Sequence, residues 1–160
     1  MELSAKQDSA IVSASNVEIT YSTDGNTVVL MKAPELLRYI ENEKKSYFEF
    51  PKGMHMFFYD DFGKVSSTLK ANYSIYYEDE GRWVAKYDVV SVNKKGEKLN
   101  TEYLVWLRDE EKITTDQFVK ITMADGSIIY GDGFESNQTF SSWEVVNGRG
   151  ILNIKDTETN

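Results

Sequence analysis

The sequence predicts an all-β protein, an antiparallel jelly roll or flattened β-solenoid of repeated hairpins with open ends. Three observations predict it. Several stretches alternate apolar and polar side chains at every second residue. Turn signals recur roughly every 30 to 40 residues along the chain. The β-formers Val, Ile, Thr, Tyr, Phe and Trp are frequent and Ala is scarce, with aromatics at 13% of the chain.

The alternation places candidate interior faces. Val17, Ile19 and Tyr21 oppose Glu18, Thr20 and Ser22. Val65, Ser67, Leu69, Ala71, Tyr73 and Ile75 are expected on one face, against Ser66, Thr68, Lys70, Asn72 and Ser74 on the other. Val119, Ile121 and Met123 oppose Lys120 and Thr122. Period two with one apolar face describes a sheet wetted on one side only. Residues 34–45 carry some helical pattern behind Pro34, but their match to the repeat argues for strand and turn.

The turns are Asp24-Gly25-Asn26, Asp61-Phe62-Gly63-Lys64, Lys95-Gly96-Glu97 and Asp125-Gly126. Glycine there supplies the positive φ that tight hairpins need. A second, more polar break follows each, at residues 41–45, 78–81, 108–112 and 136–142. Each unit is then a strand pair that cannot bury its apolar face alone, and stacked units share one interior between two facing sheets. Such a stack leaves edge strands, expected at residues 17–22 and 143–154, which are open to β-strand addition.

One domain suits 160 residues. Residues 1–15 are polar and rich in small side chains, as a tether would be; 16–155 form the β domain and 156–160 a disordered tail. The net charge of −8 makes nucleic acid an unfavourable partner and opposes nonspecific docking on anionic headgroups. The absence of cysteine excludes disulfides, thiolate zinc sites and a cysteine nucleophile. No apolar run reaches the ~18 residues of a membrane span, and no signal-peptide pattern follows Met1.

Little in the chain points to catalysis. His55 is the single histidine, flanked by Met54 and Met56, and reads as an outward strand residue without triad or metal partners. Asp60 and Asp61 read as turn chemistry rather than a glycosidase pair. Glu78-Asp79-Glu80 and Asp109-Glu110-Glu111 read as solvated tips without the spacing of a calcium loop. Gly131-Asp132-Gly133 lacks the residues of a phosphate loop; glycines inside a strand pattern mark a bulge or a close approach of another strand or an acyl chain. No catalytic residue, metal or cofactor is expected.

The chain also resembles the Bacteroidetes type of the LptC family of lipopolysaccharide export, within the OstA/LptA-like superfamily. The residues that carry the resemblance are Gly96-Glu97-Lys98-Leu99-Asn100-Thr101-Glu102, Leu104-Val105-Trp106, and Ile113-Thr114-Thr115-Asp116-Gln117-Phe118-Val119-Lys120-Ile121. With them go Tyr130-Gly131-Asp132-Gly133-Phe134-Glu135-Ser136-Asn137-Gln138 and the closing Gly148-Arg149-Gly150-Ile151. Tyr47-Phe48-Glu49-Phe50-Pro51-Lys52-Gly53 and residues 71–83 fit the same pattern, so the resemblance covers nearly everything from Val17 onward.

The resemblance implies a periplasmic jelly roll, tethered to the inner membrane by an anchor missing from this chain. It implies that lipopolysaccharide or lipooligosaccharide passes from an ABC-transporter complex to a periplasmic bridge protein of similar fold. On that reading acyl chains lie on the interior face, at Ile19, Tyr21, Met31, Met54, Met56, Phe58, Leu69, Ala71, Tyr73, Val119, Ile121 and Met123. Methionine suits a slot that takes and releases lipid, though it also fills irregular cores. Gly131, Gly133 and Trp143 are the expected assembly positions. Two other readings stand beside this one: a β-pairing adaptor with a dry core, and a carbohydrate-binding jelly roll that stacks sugars on Trp83, Trp106 and Trp143.

Overall fold

A computed structural model describes residues 12–43 and 45–154. The architecture is all-β. Fourteen strands form one continuous, antiparallel hydrogen-bonded sheet. They are β1 (Val12–Thr23), β2 (Asn26–Asn42), β3 (Lys45–Phe50), β4 (Met54–Tyr59), β5 (Val65–Ala71), β6 (Tyr73–Tyr77) and β7 (Arg82–Asn93). Then follow β8 (Lys98–Leu107), β9 (Lys112–Thr115), β10 (Val119–Thr122), β11 (Ile128–Gly131), β12 (Phe134–Asn137), β13 (Trp143–Val145) and β14 (Arg149–Ile151).

The long strands fold this sheet over on itself. One end of β2 pairs with β4 and the other with β3. In the same way β7 divides between β5 and β6, and β8 between β10 and β9. Two layers result. The first holds β4, β5, β10, β11 and β14, and the second holds β3, β6, β9, β12 and β13. The long strands bend from one layer into the other. In β2 the bend falls at Pro34, opposite Asn16 at a φ of 53°. In β7 a register shift between Lys86 and Val89 contains Tyr87 and Asp88, with φ of 72° and 52°. A residue in the left-handed region turns the strand sharply, as in a β-bulge.

Inside the fold the alternation holds across the layer. Ile19, Met31, Met56, Leu69, Ser91, Leu99 and Ile121 are register partners in one row of the first layer. Apart from Ile19, which is half-buried, every member of that row is enclosed. The matching row of the second layer runs through Phe48, Tyr76, Trp83, Trp106 and Ile113. Its rings stack in sequence: Phe48 on Tyr76 at 6.1 Å, Tyr76 on Trp83 at 4.2 Å, Trp83 on Trp106 at 6.0 Å. The layers meet face to face where Phe58 strikes Trp106 edge-on at 5.2 Å.

The four glycine turns and the four polar breaks all join strands, and residues 34–42 are strand within β2. Two expectations need correction, besides Val65 and Ser66, which the bulge at the start of β5 turns outward (42% exposed) and inward, respectively, against the alternation. The tether was expected over 1–15, but β1 begins at Val12, because Val12–Ser15 pair with Arg38, Leu37, Leu36 and Glu35 of β2. Residues 1–11 and the tail from 155 lie outside the described residues. The second correction concerns Tyr73 and Ile75. Asn72 is the corner between β5 and β6, and the parity changes there, since a one-residue step moves every later side chain to the other face. Beyond it Ser74 and Tyr76 are enclosed. Tyr73 lies on the outer face, where its hydroxyl donates to Glu49 Oε2 at 2.6 Å.

Edge strands fall where the sequence placed them. Among the described residues β1 pairs with β2 alone, β13 with β12 alone, and β14 with β11 alone.

Candidate functional site: the cleft at the rim of the two layers

A cleft of about 900 Å³ opens where the turns of the first layer meet those of the second. Asp24, Asn26, Asp60 and Lys94 form one lip, and Glu111, Gln138 and Ser141 the other. Tyr21 and Val28 lie in its wall. Tyr21 leads inward, because its ring meets Trp106 edge-on at 6.4 Å. Trp106 is only 2% exposed, and its indole N–H donates to Gln138 Oε1 at 3.0 Å, which ties the interior to the lip.

The lips are polar because they are turns. Asp60 shows the local chemistry. Its carboxylate accepts backbone N–H groups from Phe62 and Lys64 inside its own turn, and Lys94 Nζ from the neighbouring turn at 2.6 Å. The Lys94 bond first, and the turn N–H groups with it, hold the carboxyl down at about 2. Asp60 is thus a structural carboxylate, as the turn reading had it. Nearby, Ser66 and Ser67 are enclosed at the bulge where β5 loses register with β4, and neither hydroxyl makes a hydrogen bond within the protein. Ser66 lines the cleft. A buried hydroxyl without a partner costs about 1–3 kcal/mol, which a polar ligand group would recover.

Beside the cleft the layers are latched together. Asn93, at the end of β7, donates from one amide nitrogen to Phe140 O at 2.7 Å and to Glu97 Oε1 at 2.8 Å. Trp143 Nε1 donates to the same Glu97 oxygen at 3.0 Å. Phe140 is fully enclosed at a φ of 58°, packed on Phe134 and Trp143. The β12–β13 loop therefore inserts a ring into the end of the interior, and the β7–β8 turn holds it there.

Of the interior residues expected from sequence, Met31, Met54, Met56, Phe58, Leu69, Ala71, Val119 and Ile121 are enclosed together in the core. Ile19 and Met123 are half-buried against it. Tyr21 is on the inner side but 36% exposed, at the cleft. Tyr73 alone is elsewhere. Gly131 and Gly133 flank the passage from β11 to β12. A Cβ on Gly131 would stand 2.9 Å from Val145 Cβ, and one on Gly133 would stand 3.2 Å from Val146 Cγ2. The close approach inferred for these glycines is made by the chain's own β13 segment. Trp83 and Trp106 are enclosed and Trp143 is half-buried, so the three indoles share no exposed platform. His55 lies on the outer face of β4, away from the cleft.

Sequence reasoning missed Val28, Asn93, Glu97, Gln138 and Phe140. Asn93 and Glu97 bracket the Lys95-Gly96 turn, and that spacing was a legible sign of a side chain capping its own hairpin: Asn93 Oδ1 accepts the N–H groups of Lys95 and Glu97. Nothing in sequence marks Phe140 as an inward ring. Among the described residues no group of three or more His, Cys, Asp or Glu is placed to hold a metal. What this geometry can do is hold a molecule with a polar end at the lips and an apolar end against Tyr21 and Trp106. No family model matches the chain, and no curated protein matches it.

Proposed function

We propose that this protein is a periplasmic lipid-transfer module that takes lipopolysaccharide acyl chains between its two layers and passes them on, making and breaking no bond. The observation that carries the proposal is a folded-over sheet with an apolar, methionine-containing interior and, at its rim, a cleft whose wall residue Tyr21 touches the enclosed Trp106. Burial of apolar surface at ~25 cal/mol/Å² makes acyl chains strong ligands before ordering costs. The lipopolysaccharide ligand and the periplasmic location are taken from the sequence resemblance to the LptC family. On this reading the donor is an ABC-transporter complex of the inner membrane. The acceptor is a bridge protein of similar fold, met through the unpaired edge of β1 or of β13 and β14.

The enclosed interior favours a second reading. Met56 and Ile121 have no exposed surface, so an adaptor that pairs by its edges around a dry core fits the same fold. Lipid uptake requires the latch at Asn93, Glu97 and Phe140 to part. Acyl chains brominated along their length separate the two readings, since bromine quenches an indole on contact. Lipid transfer predicts quenching of Trp106 and Trp83 emission, strongest for bromine placed near the chain ends, and loss of the Trp106 share in Trp106→Phe. An adaptor predicts unquenched emission at saturating lipid.

A further inference from the structure

The outer face of the first layer carries a charge pattern that neither the fold nor the cleft explains. Lys32, His55 and Lys70 are direct register partners on three adjacent strands, β2, β4 and β5. The same row continues through Val90 and Asn100 to Lys120, then Tyr130 and Arg149. The next row runs through Phe57, Thr68, Val92, Lys98 and Thr122. Between Glu18 at the β1 edge and Asp132 beyond β11, neither row holds a carboxylate.

Like charges directly opposite on neighbouring strands destabilise a sheet. Glu18 pairs with Lys32 at 3.8 Å from the β1 edge, but His55 and Lys70 stand side by side with no carboxylate in register. His55 registers the field: partial burial first, then Lys70 and Lys32, push its imidazole below the ordinary value. Lys32 and Arg149, at the two ends of the row, are ion-paired with Glu18 and Asp132 and each still leaves 52% of the side chain exposed, while Lys70 and Lys98 between them are exposed.

Apolar and aromatic groups lie among the cations. Phe57 packs on His55 at 4.3 Å, under Lys32 Nζ at 5.9 Å. At the far end Phe118 is 55% exposed and Ile151 64% exposed, with Arg149 over the Phe118 ring. The row crosses eight strands of the layer, roughly 35 Å at the usual strand spacing. Long cationic side chains around exposed rings suit the headgroup layer of a bilayer, where lysine reaches the phosphates and aromatic rings sit just beneath. The cations Lys32, Lys70, Lys98, Lys120 and Arg149 are spread across the strands rather than gathered at the β1 or β14 edge, which suits many headgroups better than one acidic segment.

We infer that this face docks on the phosphate headgroups of an anionic lipid bilayer. The overall negative charge does not prevent it, because charges more than about 8 Å away are screened at physiological ionic strength. Docking by this face would leave the cleft, which lies at the rim of the layers, beside the bilayer rather than buried in it.

The test is co-sedimentation of the whole chain with vesicles of phosphatidylglycerol and phosphatidylcholine in equal parts, against phosphatidylcholine alone. Lys32→Gln/Lys70→Gln/Lys120→Gln removes the row, and Lys45→Gln/Lys52→Gln/Lys112→Gln removes the same charge elsewhere. The inference predicts binding to the mixed vesicles alone, weakened by high salt. It predicts a loss on the order of 100-fold in the first variant, at about a tenfold loss for each 1.4 kcal/mol and about 1 kcal/mol per lysine, with little loss in the second. Far-UV circular dichroism checks that both variants fold. No preference for the anionic vesicles, or an equal loss in the two variants, would overturn the inference. Capture of polyglutamate without vesicle binding would also overturn it, and would give the face to an acidic protein.

Discussion

Leu69 sits at the middle of the inner row of the first layer, 2% exposed, with Met56 and Ser91 as its register partners. Truncating it to Ala removes apolar burial and leaves a cavity, so Leu69→Ala is expected to lower the unfolding free energy by about 2–5 kcal/mol in urea titrations. A loss below about 1 kcal/mol would mean that the interior is already loose. Asp60 gives a pH-dependent prediction. Its folded carboxyl is held at about 2, below the ordinary 3.8, chiefly by Lys94. A depressed carboxyl contributes stability that is present above the ordinary value and fades as pH falls toward the folded one. Asp60→Asn should therefore melt below the wild type at neutral pH, and the gap should close near pH 2. A gap of equal size at both pH values would contradict the assignment.

At the scale of elements, the corners decide which residues face inward. Gly53 sits at φ +93° in the β3–β4 turn, where a Cβ would stand 2.6 Å from Ala71 O. Gly25 sits at φ +81° with nothing within 4 Å of its missing Cβ. Both substitutions to Ala pay the left-handed penalty of about 1–2 kcal/mol, and only Gly53→Ala adds a backbone clash. Gly53→Ala is expected to lower the melting temperature clearly more than Gly25→Ala; equal effects would place the corner's constraint elsewhere. The same corners limited what the sequence could say. The strands were legible because Val, Ile, Met and Leu alternate with polar residues within each, and the hairpins because Gly25, Gly63, Gly96 and Gly126 supply positive φ. The step at Asn72 was not legible. Tyr73 and Ile75 continue the alternation of Leu69 and Ala71 in sequence, while the chain itself turns into the other layer between them. Positive φ at Tyr87 and Phe140 falls on residues whose side chains do not announce it, and Asn16 and Asp88, though of types that tolerate it, stand within strand patterns with no glycine beside them, so the bends of β1 and β7 and the inward ring of Phe140 were not legible.

The whole molecule is a sheet folded along one line of corners, with a latched rim and a cleft on the opposite side. The interior was foreseen as a surface for lipid, and eight of the expected residues do enclose one another there, which a dry core would also produce. The cleft was not foreseen, because it is assembled from turns far apart in sequence, such as Asp60, Lys94 and Gln138. The difference between lipid carrier and adaptor is whether the rim opens. The most direct measurement is photo-crosslinking to purified lipopolysaccharide, with a photoreactive side chain placed in turn at Tyr21, Val28 and Met56, and at Lys70 and Tyr73 on the outer faces. Lipid transfer predicts adducts at Tyr21 and Val28 first and at Met56 on longer exposure, with none at Lys70 or Tyr73. A folded protein that gives no adducts at the three inner positions, or gives them equally at all five, would contradict a lipid site between the layers.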